Sequence, residues 1–546
     1  MATELAKDLI RRAKKVRSRQ AAWNPHYDDL ARIHIPRLLG FSETQERGSS
    51  RVDDVYDGTP MRAARGLANS IGSLMRPEGE KWLSVSAGDL DLDDEGFEWL
   101  EDASNRLRNA FDNPKARMRQ ATAETDLGLV VFGTAPLFVG EAPALNRLMF
   151  RALPLQHTVM DWNDEGLFAV YRFKKMNVRQ AEAEFGAGNL GEKAQELIRN
   201  ADFDTKITYI NAVMARNDRI IRGKFSKNLP IASYWIEEES DEIIAESGFH
   251  EMPYIVPRMD TSPDEDMGRS PAMIALPDGN TLQAMGETIL VAGQRAADPP
   301  LFAPNDGSFN EANTFPGGIS YYDVTLARSI RGNPVFPLDT GHSLPISREM
   351  QEDTREQVFA AFFRNVLNLP VSGPQMTATE VIERREEWIR EIGPMFARLE
   401  PEYNAPMAER AFSIMLRAGG FLPIPESLQG QDVSFEFESP VRRVREQVEA
   451  TAARIWKDEM LQIAAADPTI LDSVNMDEYA RFSAKASKIP SSLVRSEEEV
   501  AQLRQERAEA QQAQAEMQQL EQGAGAAKDI AGALGGLVGG GGEEAA

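Results

Sequence analysis

Residues 277–300 read PDGNTLQAMGETILVAGQRAADPP, and the architecture of the chain turns on this stretch. Leu282, Met285, Ile289, Ala292 and Ala296 recur at alternating steps of three and four, which lays one apolar stripe along a helix. The stripe opens after Pro277-Asp278, within a helical segment assigned to 271–297. Asp298-Pro299-Pro300 ends it, because proline offers no donor and pushes its predecessor out of helical geometry. Residues 298–345 then hold 7 Pro and 5 Gly in 48 positions, the composition of a β/loop module. Helix returns over 346–365, with Ser347 as N-cap and Glu349 where the helix dipole favours a carboxylate. It carries Met350, Val358, Phe359, Phe362 and Phe363 until Val366-Leu-Asn-Leu-Pro-Val-Ser-Gly-Pro-Gln375 breaks it. Thr377-Ala-Thr-Glu380 has capping-box spacing and opens a third helix. Two helices of roughly 20 residues, each about 30 Å long, thus flank a compact insert. The order predicts an antiparallel pair with a small domain at its far end.

A chain of 546 residues with 42% hydrophobic side chains can bury several cores, and its length predicts three or four domains. No run approaches the ~18 apolar residues of a membrane span, and the first residues lack a signal peptide's apolar stretch. Zero cysteines exclude disulfides and thiolate metal sites, and suit synthesis in a reducing cytoplasm. The net charge of −25 argues against gripping nucleic acid, which needs Lys and Arg against phosphates.

From the N-terminus, 3–19 reads as a basic amphipathic helix with Leu5, Leu9, Ala13 and Val16 inward, docked on the body. Asn24-Pro25 opens a second helix and Pro36 ends it. Thr59-Pro60 is a helix start with Thr59 as N-cap and proline at the first position. Helices at 94–112 and 115–131 precede a β region at 136–139, 150–154, 158–162 and 167–173, where Asn163-Asp-Glu-Gly166 signals a hairpin. Helical patterns at 178–185 and 193–201 lead to strands at 206–216 and 231–237. Residues 1–270 therefore read as one α+β body. After the third helix, Pro394, Pro401 and Pro406 segment a helical run that Gly419-Gly420 ends. The alternation of Val433, Phe435 and Phe437 predicts a strand returning to the sheet of that body. Residues 440–522 read as almost all helix, with a second capping box at Ser496 and Glu499. Residues 523–546 are Gly/Ala-rich and expected to be disordered.

Catalytic signatures are missing. There is no G-x-x-x-x-G-K-[ST] loop, no H-E-x-x-H and no G-x-S-x-G. The five histidines, at 26, 34, 157, 250 and 342, are scattered. His26 and His34 stand too far apart for a one-turn zinc pair. The expectation is no enzyme, no metal and no cofactor.

Five strings carry a resemblance: Val55-Tyr-Asp-Gly-Thr59, Pro77-Glu-Gly-Glu-Lys-Trp82, Met267-Gly-Arg-Ser-Pro271, the run into Ala297-Asp298-Pro299, and Met376-Thr-Ala-Thr-Glu-Val381. With the helix–insert–helix–loop–helix order, they make the chain resemble the phage portal family, in local sequence the head-to-tail connectors of short-tailed, podovirus-type phages. The resemblance spans roughly residues 5–500. It implies an α+β, predominantly helical subunit with wing (1–270 and 377–439), first stem helix (271–297), clip (298–345), second stem helix (346–365), tunnel loop (366–376) and crown (440–522). It implies a homo-oligomeric ring, a dodecamer, at one capsid vertex of the virion. Its partners would be the major capsid and scaffolding proteins, terminase, tail adaptor or nozzle proteins and double-stranded DNA in the channel, with no membrane. Channel-lining candidates on the second stem helix and tunnel loop are Arg355, Arg364, Asn365, Asn368, Leu369, Ser372 and Gln375. The alternative for Arg355 and Arg364 is pairing with Glu352, Glu356 or adjacent subunits. No lysine stands between 347 and 376, so a lysine ring near the loop has no support here. The rival function is a scaffold or tail component that oligomerises without enclosing DNA.

Overall fold

A computed structural model describes residues 2–512 apart from 39, 43–54, 89–93, 143–146, 165, 217–227, 306–314, 316–317, 324–335, 338–343, 365–389, 431–432, 438–439, 465–474, 487–494, 496–498 and 501. The chain divides into two compact units, Met1–Arg443 and Val444–Ala546. The first is α+β. It opens with α1 (Ala2–Gln20), α2 (Asn24–His34), α3 (Thr59–Met75), β1 (Leu83–Ser86), α4 (Asp94–Asp112) and α5 (Met118–Phe132). There follow β2 (Leu137–Ala142), β3 (Arg147–Ala152), β4 (Thr158–Asn163), β5 (Gly166–Asn177), α6 (Val178–Phe185), α7 (Glu192–Arg199), β6 (Lys206–Ala215), β7 (Ile231–Glu237), β8 (Glu242–Phe249) and β9 (Tyr254–Ile255).

The main sheet is antiparallel with order β4-β5-β6-β7-β8. Its first hairpin is the one Asn163-Asp-Glu-Gly166 signals: Asn163 faces Gly166, whose φ of 127° suits only glycine. Period-two alternation then splits the side chains between two layers. Tyr171 opposite Ala212 and Phe173 opposite Ile210 point toward α1. Ile207 and Tyr209 point the other way, into a cluster with Val178, Ala181, Ala194 and Leu197 of α6 and α7. The basic helix α1 is therefore docked on the body, burying Ala6, Leu9, Ile10, Ala13 and Val16. Leu5, expected to face inward, is 40% exposed, because that buried stripe leaves residue 5 at its edge. The charged face of α1 is also tied down, Lys14 to Glu238 at 2.9 Å and Arg17 over the Phe173 ring at 4.5 Å.

α8 (Pro271–Ala297) follows, then β10 (Leu301–Asn305), β11 (Ile319–Asp323), β12 (Phe336–Pro337) and α9 (Leu344–Ala361). The insert is a three-stranded sheet of order β11-β10-β12, parallel on one side of β10 and antiparallel on the other. Three boundaries differ from expectation. α8 runs straight through Pro277, since Ser270 caps it and accepts from Met273 N at 3.2 Å, so the proline costs a single bond early in the helix. α9 begins at Leu344, not Ser347, with Pro345 suited to a first turn. It also ends at Ala361 rather than 365, where Phe363 turns to φ 56°.

Helical residues 390–399 reach a π-helical turn at Glu400–Asn404, where Pro401 removes a donor, and continue as α10 (Ala405–Arg417). β13 (Ser434–Phe437) forms where expected but does not join the main sheet; it pairs with β1 in a separate two-stranded sheet, Leu83 opposite Phe437, because β1 offers the free edge. Under it lies a hydrophobic core built by Trp82, Trp99, Leu107, Phe111, Phe150, Met407 and Phe412. A wholly buried ion pair ties that core to α3: Arg76 meets Asp126 at 2.5 Å and Asn404 at 3.0 Å, its guanidinium over the Tyr403 ring. Strand β8 was not foreseen.

α11 (Pro440–Ala464) leads into the second unit, followed by α12 (Met476–Ala486) and helical residues 502–512. Lys457 lies over the Tyr479 ring and Arg504 pairs with Asp477 at 2.6 Å, which link these helices. The capping boxes at Thr377 and Ser496, the loop 366–376 and the tail 523–546 lie outside the described residues.

Candidate functional site: the anchorage of the helix pair

α8 and α9 pack side by side, and two of the quoted strings fix them to the body. In Val55-Tyr-Asp-Gly-Thr59 the working residue is Asp57, only 4% exposed. Its Oδ1 accepts from Thr59 N at 2.8 Å, so the carboxylate, not the Thr59 hydroxyl, caps the start of α3, with Gly58 at the N-cap position. Its Oδ2 accepts from Arg355 of α9, Nε at 3.0 Å and Nη2 at 2.9 Å, and from Gln351 at 3.4 Å. Gln283 of α8 closes the junction: its Oε1 accepts from the amides of Tyr56 and Asp57 at 2.8 and 2.9 Å, and its Nε2 donates to Asp57 O at 2.8 Å. One short segment thus binds three helices. Burial raises the Asp57 carboxyl's pKa, but the bonds from Thr59 and Arg355 outweigh it and hold the pKa below the ordinary value.

Met267-Gly-Arg-Ser-Pro271 is the second anchor. Gly268 lies back to back with Gly133, where α5 ends at φ 76°. Gly268 N donates to Thr134 Oγ1 at 2.7 Å, Met259 N to Gly133 O at 2.9 Å, and Ser270 Oγ to Val131 O at 2.7 Å. Ser270 therefore both caps α8 and bonds it to α5. Gly279 and Gly286 continue the close approach, since a Cβ there would meet Ile33 Cδ1 at 2.6 Å and Tyr56 Cβ at 2.9 Å.

Between α3 and α9 lies a groove of about 660 Å³ lined by Arg62, Ser70, Glu352, Arg355, Phe359 and Arg364, among others. Arg355 pairs with Glu352 at 3.0 Å as well as with Asp57, and Arg364 lies over the Phe359 ring at 4.0 Å. Both have partners inside their own subunit, and the foreseen Arg355–Glu352 pair is one of them. Asn365, Asn368, Leu369, Ser372 and Gln375 lie outside the described residues. Among the described residues no cluster of His, Asp or Glu could hold a metal ion, and no helix is long and apolar enough to cross a membrane.

His34, one of the scattered histidines, closes α2 and packs beside the end of α9. It is 3% exposed, its Nδ1 is 3.1 Å from Leu30 O, and its ring is 5.6 Å from that of Phe362. Burial pushes its pKa down to about 4, so the folded chain holds it neutral while the unfolded chain would protonate it below about 6.5. Stability should therefore fall as pH drops from about 6.5 toward 4, by about 3 kcal/mol at most from this group. Urea midpoints at pH 7 and 4.5 test it: His34→Leu should lose less stability than wild type on acidification, and an equal loss would refute the assignment.

Asp57, Gln283, Gly133, Gly268 and Ser270 are not among the site residues expected from the sequence, although three of them, Asp57, Gly268 and Ser270, stand in the five resembling strings. Over 507 residues the chain is 27% identical to a protein named probable portal protein of Bordetella phage BPP-1, covering 91% of this chain and 90% of that one. It is 26% identical over 509 residues to the portal protein of Salmonella phage epsilon15, with the same coverage. Among solved structures it is similar to a chain in the virion of a native gene transfer agent particle, at TM-score 0.33 and 11% identity, covering 76% of this chain and 88% of that one. It is also similar to a chain in the neck of that particle computed with C12 symmetry, at TM-score 0.34 and 10% identity, covering 74% and 87%. Residues 6–494 match the family model described as bacteriophage head to tail connecting protein, and the chain belongs to that family.

Proposed function

We propose that this connector works as a portal: copies of the chain, twelve in a ring, sit at one capsid vertex and enclose a channel through which double-stranded DNA enters and leaves. The role is structural rather than catalytic. In this reading the wing, stem, clip, tunnel loop and crown keep the boundaries given above. The sheet β10–β12 at the far end of the helix pair docks terminase and tail adaptor proteins, and the body meets the capsid and scaffolding proteins. Arg355, Arg364 and the loop residues from Asn365 to Gln375 stand nearest the lumen.

The observation that carries the reading is how α8 is buried. Its buried residues run only from Pro271 to Gln283, and from Ala284 onward none is buried within the subunit, Leu290 being 52% exposed. A helix with this many apolar residues, half-buried or exposed over half its length, is suited to packing against neighbouring copies. Negative-stain microscopy of the purified chain should give rings with a central hole and twelvefold symmetry. Filaments or small oligomers would instead favour a scaffold or tail component that does not enclose DNA.

A further inference from the structure

An acidic chain carries one concentrated patch of positive charge on its body, and no function assigned above uses it. Lys115 and Arg117 flank the start of α5, and Arg147 and Arg151 extend from β3. Together they line a depression of about 350 Å³ in which Glu124 is the lone carboxylate among the described lining residues. None of the four cations forms a salt bridge to a described residue. Arg147 donates to Lys115 O, which draws the two sides together, while its Nε is buried with no partner among the described residues. The N-terminus of the 15-residue helix α5 opens beside the patch and adds its own partial positive charge. Four like charges held together, one with a buried unsatisfied donor, are costly unless an anion completes them.

The chain also carries the complementary feature. Residues 89–95 read DLDLDDE, five carboxylates in seven residues. The last two residues of the run, Asp94 and Glu95, open α4. β1 runs back along α4, with Val85 N donating to Ser104 Oγ and Leu83 O accepting from Arg108. The patch lies beyond the C-terminal end of α4. α4 has 19 residues, about 28 Å at 1.5 Å per residue, whereas 89–93 fully extended span about 17 Å. A rigid helix thus holds opposite charges apart at its two ends. In identical copies that geometry satisfies both charges only by head-to-tail pairing, and a closed ring is one such arrangement.

We propose that the acidic run 89–95 of one copy docks on the Lys115–Arg117–Arg147–Arg151 patch of the next and sets the register between neighbours. The inference rests on the ring reading. It takes protein carboxylates rather than nucleic-acid phosphates as the ligand, because a chain of net charge −25 repels DNA at long range while neighbours in a ring are already held together.

The test uses the full chain in two charge reversals, Arg147→Glu with Arg151→Glu, and Asp91→Lys with Asp93→Lys, following assembly by mass photometry over a dilution series. Each reversal alone should raise the concentration at half-assembly about tenfold or more, and combining all four should bring it back toward wild type. The acidic-side reversal alters no residue of the patch and stands as a test even where the arginine variant fails to fold. Assembly unmoved by either reversal, or no recovery in the combined variant, overturns the pairing and leaves the ring reading intact. A wild-type chain that forms no ring removes both. Unchanged assembly together with lost retention of a short DNA duplex at low salt would assign the patch to phosphates and overturn the pairing.

Discussion

Adding one methyl group at Gly133 is expected to remove the folded body. A Cβ there would stand 2.2 Å from Gly268 O and 2.6 Å from Gly268 C, both backbone atoms of a segment that cannot yield without moving the start of α8. The φ of 76° adds left-handed strain for any L side chain. Clash and strain together should cost about 4 kcal/mol or more, in the range that unfolds marginal domains. Gly268→Ala should behave alike, since its Cβ would meet Gly133 O at 2.3 Å. The control is Gly66→Ala in α3, where nothing lies within 4 Å and Ala gains helix propensity of about 0.5–1 kcal/mol. Thermal unfolding of the three variants decides it. Gly133→Ala melting within a few degrees of wild type would mean that the two glycines do not touch.

The sequence made local features legible and left non-local ones hidden. The 163–166 hairpin, the Thr59-Pro60 start and the docked face of α1 follow from signals that lie within one turn or one hairpin of the residue concerned. α8 was placed within its segment, but its start was misjudged because Pro277 looks like a beginning and Ser270 caps a turn earlier. Strand β8, EIIAESGF, carries two glutamates and a glycine in eight residues, which blurs alternation; it exists because β7 supplies a partner. The pairing of β1 with β13 joins residues some 350 apart, which no window reaches. The strings holding Asp57 and Gly268 were noticed as strings, while their roles arise from a glutamine 226 residues away and a glycine on another helix end. Of the channel-lining candidates, the sequence placed Arg355 on the right helix and named its Glu352 partner, but Asp57 is too distant in sequence to be read as the other.

Asp57→Ala is expected to loosen α9 selectively. The substitution removes a carboxylate that is 97% shielded and receives charge-assisted bonds from Arg355 as well as the cap bond from Thr59. It leaves the Arg355 charge with Glu352 alone and the Thr59 amide without its acceptor. Breaking a fully buried pair costs about 3–5 kcal/mol, and since Arg355 is a third exposed the effect should lie near the lower end, about 3–4 kcal/mol. Asp57→Asn keeps an acceptor for Thr59 and loses only the charge, so it should fall between wild type and alanine. The pH dependence has a definite sign. Because the folded carboxyl's pKa lies below its ordinary value, its contribution is complete above about pH 4 and is lost as pH falls through the lower folded value. Hydrogen exchange resolves where the loss falls. Amides of α9 and the start of α3 should exchange faster in Asp57→Ala, while β5 and β6 of the main sheet keep their protection. A uniform loss across sheet and helices would mean that Asp57 is an ordinary core residue of the body and that the helix pair is held elsewhere.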